Sequence, residues 1–384
     1  MKVVHFSTTD YGGAYRAAER INACIKQAGI DSKVIVRTKT RQDTDCISYF
    51  TSPFGKALSK VKNFCNLMLS SGKLTTDVFG TDISGSEYVK DADVVILHWV
   101  NSFVGYRNVR QLAKTGKKII WIMHDEWVYT NGVHCGFDIK DISVFKQKVL
   151  GAFNFYLKRK YFSGNGIVFV AVSNWIKERA KDSKILENEK IEVINNPLDI
   201  LKFKPRDRVE DKYKIKGRKI ILFGADKATS NENKGFKYLV EALQMLEGDK
   251  YTAICFGQAP GESRRVLENM EIIYTGTINN DDELINLYNM ADVMVVPSAQ
   301  EAFGYTCCEA LSCGTPVVAF DTSGLKDQII HKENGYLARL FDVKDLCKGI
   351  QYCIENKDGH AIKAMKKVRE KQLQLHGSEM LKVF

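Results

Sequence analysis

Short aliphatic and β-branched runs alternate with helix-period segments along the whole chain. In the first half the runs fall at 3–7, 33–37, 93–98, 118–124, 166–173 and 191–194. In the second half they fall at 219–225, 252–256, 271–274, 292–297 and 316–320. Between the first two lies a segment, 13–28, whose Ala17, Ala18, Ile21 and Ile25 share one helix face. The runs are apolar throughout and do not alternate with polar residues, as befits strands covered on both faces by helices. The pattern predicts an α/β protein with two Rossmann-like, doubly wound parallel-sheet domains.

Length agrees, since 384 residues exceed one ordinary domain. The seam is expected near 195–217, where Pro197 and Pro205 interrupt regular structure and 202–216 is dense in charge. The domains are therefore read as 1–200 and 201–365. Open α/β sheets bind ligands at the carboxyl ends of their strands. Two such domains facing each other make the cleft between them the expected site.

Composition narrows the class. Nothing in it suggests a coiled coil, collagen or disorder. The N-terminus enters a strand at once, without the apolar core of a signal peptide. The longest apolar runs, such as 167–172, fall far short of the ~20 residues of a membrane helix. A cytoplasmic protein is expected, and its ten cysteines, with no CxxC pair and no zinc-like spacing, read as reduced structural thiols. Charge is uneven: residues 1–200 hold 29 Lys and Arg against 20 Asp and Glu, and residues 201–384 hold 27 against 26. A basic first half suggests nucleic acid, an acidic ligand or an anionic membrane face. No nucleic-acid-binding motif supports the first of these.

Four groups of residues, each close after a strand candidate, have chemistry to offer. Glu301 and Glu309, eight apart, bracket Phe303, Gly304, Tyr305 and Thr306. The glycine lets backbone N–H groups approach a ligand, and a helix starting near Tyr305 would point its positive end at an anion. Both carboxylates could accept from ligand hydroxyls, or they are a surface glutamate and a helix-dipole partner. Lys234, in Asn233-Lys234-Gly235, is a point-charge phosphate binder beside a helix start, or a solvated lysine. Gly12-Gly13 marks a tight loop after the first strand where a ligand or the opposite domain approaches, although it is not a dinucleotide fingerprint. His124, in His124-Asp125-Glu126-Trp127, ends a strand and could meet a ligand hydroxyl, or be a structural histidine held by Asp125. His98 is a weaker candidate of the same kind.

The stretch from Asn289-Met290-Ala291-Asp292 through Glu301 and Glu309 to Gly314-Thr315-Pro316, with Gly324 and Asn334-Gly335-Tyr336 in register, resembles glycosyltransferase family 4. That family is retaining, has the GT-B fold and is marked by a Glu-x7-Glu motif. The resemblance implies that Glu309 holds the donor's ribose, and Glu301 the hydroxyls of the transferred sugar. The amides of Phe303 to Thr306 would then face the sugar and diphosphate. It places Lys234 on the diphosphate, Gly12-Gly13 under the phosphates, and His124 beside the donor sugar, as in bacterial O-antigen and capsule transferases with a His-Asp-x-Trp segment. Many members carry an arginine directly after the strand at 219–225. Here Asp226 stands there with Lys227 next to it, and Lys227 either substitutes or one phosphate contact is lost. The resemblance also makes 366–384 a helix packing back across the seam. Base recognition would be by backbone near 277–279, leaving UDP and GDP undistinguished, with UDP favoured by frequency.

The function implied is transfer of a sugar from a nucleotide-diphosphate donor to a glycan or polyprenyl-linked acceptor in surface-polysaccharide synthesis. No carboxylate nucleophile or general base stands out. Attack from the leaving-group face, with the donor phosphate taking the proton, fits retention. No acidic metal-binding pair occurs in a diphosphate context, so neither metal nor other cofactor is expected. The alternatives are a GT-B nucleotide-sugar epimerase, or a catalytically silent nucleotide- or carbohydrate-binding subunit. Two basic amphipathic stretches, 56–73 and 146–162, are read either as weak contacts to an anionic inner-leaflet surface or as helices with a core face and a solvated basic face.

Overall fold

The computed structural model describes the chain except residues 43, 44, 207–210, 216, 226–228, 258–262, 268, 269, 358, 360–362, 364, 365, 367, 369 and 371–384. It divides into two compact units, the first spanning Met1–Pro197 and the second Leu198–Gln374. Of the segment 366–384, only Lys366, Val368 and Glu370 are among the described residues.

The first unit is built on seven strands: β1 (Lys2–Thr9), β2 (Asp31–Thr38), β3 (Ile47–Ser48), β4 (Val94–Leu97), β5 (Lys118–Met123), β6 (Val168–Ala171) and β7 (Ile191–Val193). They lie in the order β3-β2-β1-β4-β5-β6-β7, and every pairing is parallel. Its helices are α1 (Gly12–Gln27), α2 (Pro53–Leu69), α3 (Glu87–Asp91), α4 (Tyr106–Ala113), α5 (Val144–Phe162) and α6 (Asn174–Lys181). α1 buries Ala17, Ala18, Ile21 and Ile25, the face marked by their spacing.

α2 and α5 depart from the expectation of a core face. α2 buries only Ser59 and Asn66, and α5 buries Gly151, Asn154, Lys158 and Phe162. Their large apolar side chains point outward instead: Phe54 is 80% exposed and Phe145 75%. The inward polar groups find partners that make this tolerable. Asn66 donates to the carbonyl of Phe79 and accepts from its N–H. Asn154 donates to the carbonyls of Thr75 and Asn131 and accepts from the Tyr106 hydroxyl. Lys158, read from the sequence as part of a basic stretch, is fully buried; it donates to the carbonyls of Trp127 and Thr130 and lies 3.8 Å from the Trp127 ring centroid.

The second unit has β8 (Lys219–Gly224), β9 (Tyr251–Phe256), β10 (Ser263–Leu267), β11 (Met270–Gly276), β12 (Val293–Val296), β13 (Val317–Phe320) and β14 (Gly335–Ala338), in the order β10-β11-β9-β8-β12-β13-β14. Among the described strands of this unit, only the edge strand β10 is antiparallel. Its helices are α7 (Phe236–Gln244), α8 (Asp281–Met290), α9 (Tyr305–Ser312) and α10 (Val343–Glu355). Ile221, Phe223, Val293, Val295, Val318 and Phe320 from the central strands pack with Leu239, Leu243 and Ile350 from the helices into one core.

In both sheets the first strand of the unit lies in the middle, so the strand order reverses between β1 and β4 and between β8 and β12. The loops leaving those strands border the crevice where such sheets bind ligands.

Candidate active site

In the second unit, the loop after β8 and the loop after β12 are sewn together. Asn233 donates from its side chain to the carbonyl of Gln300, and its own carbonyl accepts from Ala299 N. Gly235 follows in the left-handed region at φ +72°, and a Cβ there would come 1.8 Å from the carbonyl oxygen of Pro297. That close approach sets Lys234 beside Glu301: Nζ lies 2.6 Å from Oε1, and Ser298 Oγ donates to the same oxygen at 2.9 Å. The backbone of Glu301 is pinned in turn, its N–H to Ser323 Oγ and its carbonyl to Gly324 N. A Cβ on Gly324 would meet the carbonyl of Ala302 at 2.2 Å. Asp226 and Lys227, which bear on the missing arginine, lie outside the described residues.

The same loop then opens α9. Gly304 caps it at φ +82° without a side-chain cap, and Phe303 before it is buried. Gln328 Nε2 donates to the carbonyls of Phe303 and Gly304, holding the turn so that the amide end of α9 and the first residues, Tyr305 and Thr306, follow at once. An uncapped helix start of this kind is a receptive place for negative charge. Glu309, one turn in, is buried to 1% exposure, and one of its oxygens accepts from the Tyr288 hydroxyl of α8 at 2.9 Å.

In the first unit, Gly12 and Gly13 open α1 directly after β1. Gly12 needs its glycine for φ +83°, whereas a Cβ on either would meet nothing within 4 Å. Asp10, just ahead, is buried and accepts from the N–H groups of Thr40 and Arg41 and from the Thr40 hydroxyl.

His124 follows β5 at the carboxyl edge of the sheet and is partly exposed. Asp125 does not hold it. Asp125 accepts instead from Trp99 Nε1 at 2.9 Å and from His134 Nδ1 at 2.6 Å, and Thr75 Oγ1 lies 3.0 Å from the other nitrogen of His134. The partner of His124 is His98, whose Nδ1 is 2.9 Å from His124 Nε2. His98 itself is buried and contacts His5, so it offers no free face to an acceptor. Burial pushes the His124 imidazole down to about 4 and that of His5 to about 3, with His98 well below its ordinary value for the same reason. Beneath these groups, burial pushes the Asp77 carboxyl up to about 7; it accepts from Asn101 Nδ2 and from Ser102 N.

His5, His134, Asp77 and Lys158 carry no motif, and the contacts that bring them here span tens of residues in sequence. Among the described residues, no group of three or more histidine, cysteine, aspartate or glutamate side chains is placed to hold a metal ion. None of the ten cysteines forms a disulfide, and no described helix is long and apolar enough to cross a membrane.

Residues 205–374 match the family model for glycosyl transferases group 1. Along nearly the whole chain, 94% of it and 90% of the relative, it is 26% identical to an uncharacterized 41.2 kDa protein in the cps region of Klebsiella pneumoniae. It is 30% identical over 43% of its length to an uncharacterized glycosyltransferase of Methanocaldococcus jannaschii, covering 45% of that protein. Among solved structures it resembles sucrose-phosphate synthase of Thermosynechococcus elongatus (TM-score 0.70, 16% identity, 98% of this chain and 95% of that one). It also resembles HepE of Anabaena in complex with UDP and glucose (TM-score 0.66, 17% identity, all of both chains). The fold is therefore that of the GT-B glycosyltransferases, and the segment 205–374 is similar to group 1 glycosyl transferases.

Proposed function

We propose that this protein is a retaining glycosyltransferase of family 4 that moves a sugar from a nucleotide-diphosphate donor to a glycan or polyprenyl-linked acceptor in capsule or O-antigen synthesis. The observation that carries the reading is the Lys234–Glu301 pair at the strand-order reversal of the second sheet, next to the uncapped start of α9. A cation and a helix N-terminus together suit a diphosphate, and a carboxylate fixed through Ser298 suits sugar hydroxyls. Without donor, the two side chains neutralise each other. With donor, the ammonium turns to the phosphates and Glu301 keeps Ser298 and accepts from the sugar. Charge developing on the leaving diphosphate is then met by Lys234 and the amides from Phe303 to Thr306. His124, at the carboxyl edge of the first sheet, serves a sugar hydroxyl.

UDP is favoured as the donor's nucleotide because HepE, whose fold this chain shares, has been crystallised with UDP-glucose. The surface-polysaccharide assignment leans on the relative from a cps region and on a capsular polysaccharide biosynthesis glycosyltransferase of Staphylococcus aureus, 21% identical over 58% of this chain. The outward apolar faces of α2 and α5, flanked by Lys56, Lys60, Lys146, Lys148, Arg159 and Lys160 and free of acidic residues, fit an anionic bilayer surface on which such an acceptor resides.

The test is thermal-shift binding of UDP, GDP, ADP and dTDP, with and without EDTA, followed by product analysis with the donor that binds. Stabilisation by one nucleotide, unchanged by EDTA, and a product retaining the donor's anomeric configuration are expected. A product formed without acceptor and epimerised at the sugar would replace this reading with an isomerase. Binding without turnover would replace it with a silent subunit.

A further inference from the structure

Three histidines form one hydrogen-bonded row across the first sheet, and its inner end is a serine. Ser32 Oγ, on β2, lies 3.1 Å from His5 Nε2; His5 Nδ1 lies 2.9 Å from His98 Nε2; His98 Nδ1 lies 2.9 Å from His124 Nε2. The rings stack in succession, with centroids 5.2 Å apart in each pair. Ser32, His5 and His98 are buried, and only His124 reaches the surface. Burial disfavours the charged form of every ring, so each carries a single N–H.

Counting hydrogens leaves two arrangements. A nitrogen–nitrogen link needs one hydrogen, because with none two lone pairs face each other and with two the hydrogens collide. The two links use two of the three. The third sits at one end of the row, either on His5 Nε2 or on His124 Nδ1. If it sits on His5, the ring donates to Ser32, whose own hydroxyl hydrogen must then find another acceptor. Among the described residues His5 is the only hydrogen-bond partner of the Ser32 side chain. A buried donor would be left unpaired. If the third hydrogen sits on His124 Nδ1, Ser32 donates to His5, His5 to His98 and His98 to His124, and every buried group is satisfied.

We infer that Ser32, through His5 and His98, holds His124 as its Nδ1–H tautomer. The ring then presents a hydrogen-bond donor, not a base, at the carboxyl edge of the sheet. It cannot accept a proton at Nδ1 unless the hydrogens of all three rings shift together. Ser32, His5 and His98 are positioning residues, since none of them is at the surface. The use of that donor for a sugar hydroxyl rests on the function proposed above, whereas the tautomer is a property of the folded chain.

Nitrogen-15 labelling of the seven histidines and observation of their ring proton–nitrogen couplings test it without any substrate, with His124 assigned by its loss in His124→Gln. At neutral pH the wild-type His124 is expected to show a protonated Nδ1 and a bare Nε2. In Ser32→Ala the inner donor is gone, and the His124 signals are expected to move to positions averaged between the two tautomers. Ser32→Thr keeps the hydroxyl and should restore the wild-type pattern. His98→Phe, which cuts the row, should free the tautomer as well, so either variant that folds gives the answer. A wild-type ring protonated at Nε2, or a Ser32→Ala ring unchanged from wild type, overturns the inference. Because no donor or acceptor enters the experiment, that failure is distinct from an absence of glycosyl transfer.

Discussion

Lys234 and Glu301 stand in the loops after two neighbouring strands, β8 and β12, with Nζ 2.6 Å from a carboxylate oxygen, where the order of the second sheet reverses. Sequence separates them by 67 residues, and Gly235 against Pro297 closes the gap. Both side chains keep some solvent contact, 21% for Lys234 and 16% for Glu301, so a ligand can compete for either.

The two halves of this pair should respond differently to mutation. Lys234→Gln removes a charged partner of the diphosphate, a loss of about 1.5–3 kcal/mol, or roughly 10- to 100-fold in UDP affinity. Glu301→Gln releases the lysine from its ion pair and should leave UDP affinity equal or tighter, while transfer falls by roughly 100-fold. Calorimetry with UDP on both variants decides. Equal weakening in both would mean that the pair only braces the loops.

Two glycines test how tightly the loops are sewn. Gly235→Ala places a Cβ against the Pro297 carbonyl in a left-handed backbone and should destabilise the second unit by about 2–4 kcal/mol. Gly13→Ala meets nothing within 4 Å at an ordinary backbone angle and should change stability by less than about 0.5 kcal/mol. Urea unfolding followed by circular dichroism compares them, since all four tryptophans lie in the first unit. If Gly13→Ala nevertheless lowers transfer at unchanged stability, the α1 loop serves the ligand.

Acid should unfold the first unit ahead of ordinary carboxylate titration. His5 and His124 titrate near 3 and 4 when folded and near 6.5 when unfolded, with His98 also lowered. Between those values the unfolded chain binds more protons, so stability falls as pH drops below about 6.5, by about 1.4 kcal/mol per pH unit for each such ring. Asp77 has the opposite sign. Its folded value near 7 exceeds the unfolded 3.8, so its contribution is fully present below 3.8 and is lost as pH rises through 7. Asp77→Asn removes this opposing term and should therefore steepen the acid loss. Denaturant midpoints from pH 4 to 8 measure both; parallel curves for wild type and Asp77→Asn would refute the assignment.

The sheets were legible because β8, β12 and β13 are continuous apolar runs, and burial on both faces allows nothing else. β3 is two residues long, and β10 exposes Ser263, Arg264 and Arg265 on an edge, so neither leaves an apolar signal. Glu301, Lys234 and His124 could be nominated because each comes after a strand candidate and sits in a motif of the family resembled. The histidine row could not, because its links join residues 93 and 26 apart, and nothing in the strand around His5 distinguishes it from core. α2 and α5 show the helical period but not which face turns inward. That choice is made by Asn66, Asn154 and Lys158, whose backbone partners lie 13 to 79 residues away.

The outward faces of α2 and α5 give the last prediction. Both helices are fastened through polar residues to neighbouring parts of one segment: Asn66 to Phe79 and Asn154 to Thr75. Their apolar side chains, among them Phe54, Phe64, Met68, Phe145 and Tyr156, are left to solvent with lysines between them. An exposed apolar patch of this kind calls for a partner, and the absence of any acidic residue in either helix selects an anionic one. Each exposed lysine or arginine near a charged leaflet contributes about 1 kcal/mol, which salt weakens, while insertion of the aromatic side chains does not depend on salt. Sedimentation with vesicles containing phosphatidylglycerol should therefore carry the protein down, and pure phosphatidylcholine should not. Phe54→Ser together with Phe64→Ser should abolish binding without lowering the unfolding temperature, because neither ring is packed in the folded chain. Binding that is equal on both kinds of vesicle would remove the charge argument. A dimer in solution that is broken by the same double variant would assign the face to a second copy of the chain and not to lipid.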